Sequence, residues 1–253
     1  MPPVTIAIIG ATVLLSSFIS GTFGMAGGMV LLGVLLIYLD VATAMVVFSA
    51  IQFFANGWRV VMWRRFILWP IFWWYAIGAV LAAGAMRAVA YVPDKATVYF
   101  LLGIMPFVID LMPVRARPNI EWRGMPFFTG LFTTVVQLLA GVGGLFLDIF
   151  FQKSTLDRKT TIATKAPAQT FSHVLRFAYF GSVGGIHSGH DATSIGLLVA
   201  AVALTLVGTS TTPYVIERMS DHGFRRWTRA IILTISAIYL FRAAALWWHA
   251  WHG

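Results

Sequence analysis

Four side chains that could bind an anion lie at helical spacing in one otherwise apolar segment. Lys165, Gln169, His173 and Arg176 follow one another at intervals of four, four and three residues, so one face of a helix would carry all four. A charge inside an apolar membrane segment costs about 2.5–3.5 kcal/mol on insertion scales, and an anionic ligand would offset that cost. The alternative for Lys165 is a snorkelling side chain or an ion pair with Asp148.

A similar polar pattern occurs earlier in the chain. The pattern Q-x-F-x-[N/H]-x-x-R appears twice, and the two copies lie 117 positions apart without a gap. Polar residues correspond at this single offset: Gln52 with Gln169, Asn56 with His173, Arg59 with Arg176, Asp40 with Asp157, and Thr43 with Thr160. The positive charge of Lys165 is not repeated, because the corresponding position in the first copy holds Phe48. The two glutamines are uncharged donors suited to an oxyanion, or alternatively to a bond between helices.

Glycines cluster at the same offset. The two clusters are Gly24, Gly27 and Gly28 in the first half and Gly141, Gly143 and Gly144 in the second. A glycine at a helix start lets a ligand approach the unpaired backbone N–H groups of the first turn, which carry partial positive charge. The alternative is that these glycines only allow close helix packing.

Two acids lie within apolar runs, Asp148 and Asp110. A carboxyl group in such a setting could carry protons, with His173 as a further candidate. The alternative is charge balance for nearby lysine or arginine residues.

The composition requires that these residues be held by membrane helices. Of 253 residues, 59% are hydrophobic and 11% are charged, which excludes an ordinary soluble domain. Residues 1–39 carry no charge and would form a helix of about 58 Å, twice a hydrocarbon core of about 30 Å, so this stretch must break. The absence of cysteine excludes disulfides and thiolate chemistry.

The charge distribution predicts orientation. Thirteen of the 18 Lys and Arg residues lie in four short connections, which we place in the cytoplasm. The same distribution explains the net charge of +9 better than nucleic-acid binding does. We expect an integral protein of the cell's inner (plasma) membrane with both termini outside, and the uncleaved N-terminal run as part of the fold.

The predicted fold is all-α, with two inverted-topology repeats, each holding a glycine-broken hairpin and three membrane-spanning helices. The first repeat covers 1–116, with a hairpin at about 4–39 and helices at about 41–62, 66–91 and 96–113. The second covers 117–253, with a hairpin at about 122–152 and helices at about 160–183, 192–217 and 230–248. Three crossings per repeat is an odd number, so the second repeat must be inserted upside down, as in many secondary transporters.

These features resemble the TauE/SafE sulfite exporter family of transmembrane permeases over essentially the whole chain. The family's hallmark is a G-x-G-G-G element, an apolar stretch and a proline, once in each half. Here the elements begin at Gly24 and Gly141, and Gly33 and Phe150 stand where proline is usual. The resemblance implies a permease for sulfur-containing anions such as sulfite or organosulfonates.

We therefore expect a secondary transporter, an exporter, that moves a small sulfur anion by alternating access around a central site. The expected substrate site comprises both glycine clusters together with Gln52, Asn56, Lys165, Gln169, His173 and Arg176. The expected partners are the anion, the lipid bilayer and a candidate coupling proton, with no nucleic acid, cofactor or metal. A passive anion channel or a structural membrane subunit is the alternative.

An enzyme is not expected. Neither a G-x-S-x-G nor an H-E-x-x-H motif occurs in the chain. His187, His190 and Asp191 form a polar cluster in a glycine-rich outer connection, which we interpret as a solvated loop. Sulfite, thiosulfate, sulfonates and simple carboxylates present comparable oxygens, so the residues alone do not choose among them.

Overall fold

The structure is a computed structural model that describes residues 3–23, 26–141, 143–183, 195–211 and 221–252. The regular elements in these ranges are all helical, which confirms the predicted all-α class. The α-helices are α1 Pro3–Phe23, α2 Ala26–Tyr38, α3 Val41–Trp63, α4 Trp69–Val89, α5 Lys95–Leu111, α6 Met125–Ala140, α7 Gly144–Phe151, α8 Arg158–Val183, α9 Ile195–Ser210 and α10 Asp221–His252. Short 3-10 turns at Arg64–Phe66 and Val114–Ala116 follow α3 and α5.

Aspartates begin three of these helices. The carboxylates of Asp40, Asp94 and Asp157 accept backbone N–H bonds from threonines three residues later, at 3.0, 2.9 and 3.1 Å. This contact satisfies a first-turn donor that would otherwise be unpaired, and it places a negative charge at the positive end of the helix. The repeated Asp40 and Asp157 thus have a local structural role.

The helices pack in a consistent pattern around a central pair. α3 lies along α8 at the centre, α4 packs on α6, α1 packs on α9 and α2, and α5 packs on α10. The largest apolar core joins α2 and α3 to residues of α5, α8 and α10. The central pair α3 and α8 therefore places most of the polar residues of the predicted site in the interior of the bundle.

α2 is held by two tyrosines from the neighbouring pair α5 and α10. The Tyr99 hydroxyl donates to the Gly33 carbonyl at 3.1 Å, and the Tyr239 hydroxyl donates to the Met29 carbonyl. A side chain at position 33 would overlap the Tyr239 hydroxyl, so glycine is required there. These contacts hold α2, the second helix of the first hairpin, against α5 and α10.

α8 has its polar face inside and its apolar face outside. Thr164, Ser172, His173 and Arg176 are buried, whereas its exposed positions include apolar residues such as Val174 and Phe177. This arrangement is expected when a helix is enclosed by other helices and meets lipid only along an apolar strip. It explains why a low average hydropathy does not exclude α8 from the membrane bundle.

Three of the described helices are long and apolar enough to cross a membrane by themselves. They lie at Val41–Phe66, Trp69–Val89 and Arg229–His252, and shorter apolar helices occur at Val4–Ser20, Ala26–Tyr38, Met125–Ala140 and Val199–Ser210. The last helix begins at Asp221, earlier than the expected start near residue 230. The division into two inverted repeats stays a prediction.

Candidate functional site

Arg176 on α8 is the most deeply buried charge of the described chain, with 0% exposure. Its Nε donates to the Ser49 hydroxyl at 2.7 Å, its Nη1 donates to the Gly141 carbonyl, and its Nη2 lies 2.9 Å from His173 Nδ1. A guanidinium group has no acceptor, so His173 Nδ1 must accept, and a neutral His173 carries its proton on Nε2. The side chain thus joins α3, α8 and the glycine break after α6.

Phe48 covers one face of this guanidinium. The Phe48 ring centroid lies 4.5 Å from the Arg176 guanidinium carbon, and the ring meets His173 edge-on at 6.0 Å. A cation over an aromatic face is stabilised electrostatically, more strongly where water is excluded. Phe48, which breaks the repeat at the Lys165 position, therefore contributes to the site around Arg176.

Acidic partners do not balance Arg176 within the described ranges. The ion pairs found there join Lys165 to Asp148 and Arg229 to Asp110, and neither includes Arg176. The guanidinium contacts Ser49, the Gly141 carbonyl and His173, which are neutral groups and do not use all five of its N–H donors. A buried cation without a counter-charge is costly, and a bound anion would remove that cost.

Gln52 extends the same site towards the start of α2. A Cβ atom built on Gly28 would lie 3.2 Å from Gln52 Nε2 and 3.4 Å from the Phe48 ring. The amide of Gln52 therefore lies against the first turn of α2, where backbone N–H groups are unpaired. The structure brings together Gly28, Gln52, Gly141, His173 and Arg176 of the predicted site.

Gly27 and Gly143 mainly serve close packing within the hairpins. A Cβ atom on Gly27 would overlap the Ser16 carbonyl of α1, and one on Gly143 would lie 2.7 Å from the Thr133 carbonyl of α6. The packing interpretation fits both positions. Gly141 instead needs its glycine identity for a backbone φ of 77°, which ends α6, and the buried Gly144 begins α7.

Asn56 and Arg59 form a contact on α3 that parallels the one around Arg176. Asn56 Nδ2 donates to the Gln52 carbonyl at 2.9 Å, and its Oδ1 accepts from Arg59 Nη1 at 3.2 Å. Arg59 Nη2 donates to the Ser20 carbonyl in the last turn of α1 at 3.2 Å. Each repeated arginine thus binds a carbonyl at the C-terminal end of the first helix of its own hairpin. For Arg59 this helix is α1 and for Arg176 it is α6. A cation is electrostatically favoured at such an end.

Lys165 and Asp148 form an ion pair between α8 and α7, as the alternative interpretation of Lys165 expects. Their side chains are 20% and 36% exposed, and Asp148 also attracts Arg59 electrostatically. Gln169 lies one helical turn beyond Lys165 and is half-buried. In the first half, the positions corresponding to Asp148 and Lys165 hold the buried apolar residues Leu31 and Phe48.

Asp110 lies apart from this centre. It is near the end of α5, partly exposed, and its carboxylate is 2.9 Å from Arg229 on α10. Gly24 and the cluster of His187, His190 and Asp191 lie outside the described residues. Among the described residues, which do not include that cluster, no three metal-ligating side chains lie together.

Sequence reasoning missed Ser49 as a partner of Arg176. Ser49 precedes Gln52 by three residues, so helical periodicity alone would have placed it on the same face of α3. Gln137 lies one turn before the break at Gly141, but the burial of its side chain and the missing partner of its Nε2 among the described residues become visible only in three dimensions.

Comparison with protein families gives one match over most of the chain. The family model described as sulfite exporter TauE/SafE matches residues 8–240. No curated protein and no solved structure matches the chain. The family match and the three apolar helices together identify an integral membrane protein.

Proposed function

Because the chain belongs to the sulfite exporter TauE/SafE family, we propose that it exports a small sulfur anion, such as sulfite or an organosulfonate, by alternating access around Arg176. The family consists of membrane transporters rather than enzymes, in agreement with the absence of hydrolase motifs from the sequence. The identity of the substrate and the alternating-access mechanism are our proposal and go beyond the family match.

The observation that carries the proposal is the charge of Arg176. It is fully buried, it is held by neutral partners, and it lies at the glycine break between α6 and α7. An anion bound there would receive donors from the guanidinium group and from the unpaired N–H groups at the start of α7. Gln52, Gln169 and the Nε2 side of His173 would supply further hydrogen bonds from the central helix pair.

The packing pattern supports a two-fold relation between the halves, and the odd number of predicted crossings in each half makes this relation an inverted repeat. The offset of 117 relates α1 to α6, α2 to α7, α3 to α8 and α4 to α9, and chain order pairs α5 with α10. Exchanging the halves turns the contact of α4 with α6 into the contact of α9 with α1, and both are present. The pairs α3 with α8 and α5 with α10 map onto themselves, as a two-fold relation requires.

Alternating access fits a site on such an axis. Residues from both halves meet along α3 and α8. Rocking one half against the other around Arg176 would expose the anion to one side at a time. The positive-inside rule gives the proposed orientation in the inner (plasma) membrane, with both termini outside.

Coupling to protons is part of the proposal and is assigned to Asp148. Its carboxylate pairs with Lys165 and attracts Arg59, so protonation would change the balance between two cations near the centre. Asp110 is a weaker candidate, because it pairs with an exposed arginine away from the break. Transport by Asp148→Asn should lose its response to a pH gradient while anion binding persists.

Binding of sulfite to the purified protein tests the proposal. Under oxygen-free conditions, sulfite should raise the melting temperature of the wild type in a concentration-dependent way, because a ligand of the folded state stabilises it. Arg176→Gln should abolish this shift. Arg229→Gln, which removes an exposed arginine, is the matched control and should retain it.

Two results would contradict the proposal. One is a wild type whose melting temperature responds neither to sulfite nor to a sulfonate. The other is an Arg176→Gln protein that elutes as the wild type does, melts cooperatively, and binds sulfite with unchanged affinity.

A further inference from the structure

Gln137 on α6 is a buried donor that the site described above does not use. The residue is 5% exposed, and its Nε2 has no hydrogen-bond partner within the described part of the chain. A buried amide without a partner costs free energy, so such groups are uncommon in native proteins.

The Gln137 amide lies against the glycine break. A Cβ atom on Gly143 would be 2.8 Å from Gln137 Oε1, and the Gln137 carbonyl accepts the Gly141 N–H at 2.9 Å. The next residue, Gly144, begins α7, and the Leu147 N–H donates to the carbonyl of the cap residue Gly143 at 3.1 Å. The first-turn N–H groups of α7 and the unpartnered amide therefore occupy the same small region.

Arg176 reaches this region from a third helix. Its Nη1 donates to the Gly141 carbonyl, so the guanidinium is fixed beside the break. Donors thus come from the side chain of α8, from the side chain of α6 and from the backbone of α7. Three donor groups from three directions suit a head group with three oxygens.

We propose that Gln137 binds the third oxygen of an SO₃ head group and thereby selects sulfonate-type anions over carboxylates. This inference rests on the proposed function. A carboxylate has two oxygens, so it would leave one buried donor unpaired. A site built to hydrogen-bond a group discriminates strongly against analogues that lack it.

Methanesulfonate and acetate are the probes, because they share a methyl group and differ in the head group. Wild-type protein in detergent should bind methanesulfonate more tightly than acetate, as measured by titration calorimetry. Gln137→Leu should weaken methanesulfonate binding by about tenfold or more, the effect of a lost hydrogen bond to a charged group, and leave acetate binding unchanged. Gln152→Leu, at an exposed glutamine beyond α7, is the control and should bind as wild type does.

The melting temperature without ligand separates binding from structural support. Replacing an unpartnered buried amide by an apolar side chain of similar size should leave this temperature unchanged or raise it. If Gln137 instead has a structural role, the ligand-free melting temperature of Gln137→Leu should fall. Gln137→Glu keeps the shape of the side chain and places a carboxylate at the site, so it should abolish binding of both anions at neutral pH.

The outcomes are distinguishable. The inference is overturned if Gln137→Leu weakens both anions equally or neither, or if the ligand-free melting temperature falls, while the wild type still binds methanesulfonate. If the wild type binds neither anion nor sulfite, the proposed function fails and this inference fails with it.

Discussion

At the scale of single residues, the interior charges of this chain follow two patterns. Lys165 forms an ion pair with Asp148, whereas Arg176 has no counter-charge among the described residues and contacts neutral acceptors and the ring of Phe48. An arginine suits the second setting because its planar group forms several directed bonds and stacks on an aromatic ring. The unmatched charge, rather than the matched one, is therefore the better anion ligand.

The Lys165–Asp148 pair gives the first prediction. Lys165→Met and Asp148→Asn should each destabilise the protein, and the double variant should lose less than the sum of the two. We expect a coupling of about 1–2 kcal/mol, between the values for exposed and for buried ion pairs. Thermal unfolding of the four proteins in one detergent measures it.

The same variants test the role of Lys165 in binding. A double variant that still binds sulfite as the wild type does supports an ion pair with a structural role. Loss of binding in Lys165→Met that the second substitution does not restore would instead make Lys165 a ligand.

At the scale of elements, close packing within the first hairpin depends on one glycine. Gly27→Ala should destabilise the protein by about 1–3 kcal/mol, because the new methyl group would overlap the Ser16 carbonyl. Gly84→Ala is the matched control, since an added Cβ meets nothing within 4 Å there and alanine favours the helix. Equal melting temperatures for Gly27→Ala and the wild type would contradict the observed packing of α1 on α2.

The aspartate caps predict a pH dependence. Partial burial opposes ionisation of Asp40, but hydrogen bonds from Thr43 hold its pKa below the ordinary value of 3.8, and bonds from Thr160 lower the pKa of Asp157 in the same way. A lowered folded-state pKa means that the caps stabilise above the ordinary pKa and lose this effect as pH falls through the folded-state value. Asp40→Ala should therefore cost about 1 kcal/mol near pH 7 and less in acid.

Asp40→Asn is the control for this prediction, because asparagine also caps a helix but does not titrate near this pH. It should retain most of the stability at neutral pH. An Asp40→Ala protein whose destabilisation is the same at pH 7 and at pH 3 would contradict the role of the ionised cap.

The sequence predicted elements better than it predicted partners. The all-helical class follows from hydropathy, which a single sequence contains, whereas Asp40 and Asp157 stand out there only as a repeated pair and not as helix caps. The pairing of Lys165 with Asp148 is one of the alternatives that the sequence offers, whereas the choice of Ser49 and Gly141 as partners of Arg176 depends on how distant segments cross. Helical spacing places residues on one face, but it does not say which neighbour that face meets.

At the scale of the whole molecule, two halves of similar packing carry different charges. Asp148 and Lys165 lie in the second half, and the corresponding positions of the first half hold Leu31 and Phe48. We expect such a pair of halves to bind one anion at Arg176 rather than two, because Arg59 is already attracted by Asp148. The difference between the halves is thus as informative as their similarity.

The orientation of α4 can be tested in a chain that has no cysteine of its own. Arg65→Cys and Val92→Cys place single thiols at exposed positions on either side of this spanning helix. A membrane-impermeant maleimide should label Val92→Cys in intact cells and Arg65→Cys only after the membrane is opened. The opposite pattern would reverse the predicted orientation.

Counterflow of radiolabelled sulfite in proteoliposomes tests the central claim most directly. Vesicles loaded with unlabelled sulfite should transiently accumulate the label through the wild type and through Arg229→Gln, with saturation at high concentration, whereas Arg176→Gln should accumulate none. Wild-type vesicles that accumulate no label, or that pass sulfite only as a non-saturating current, would contradict a transporter built around Arg176.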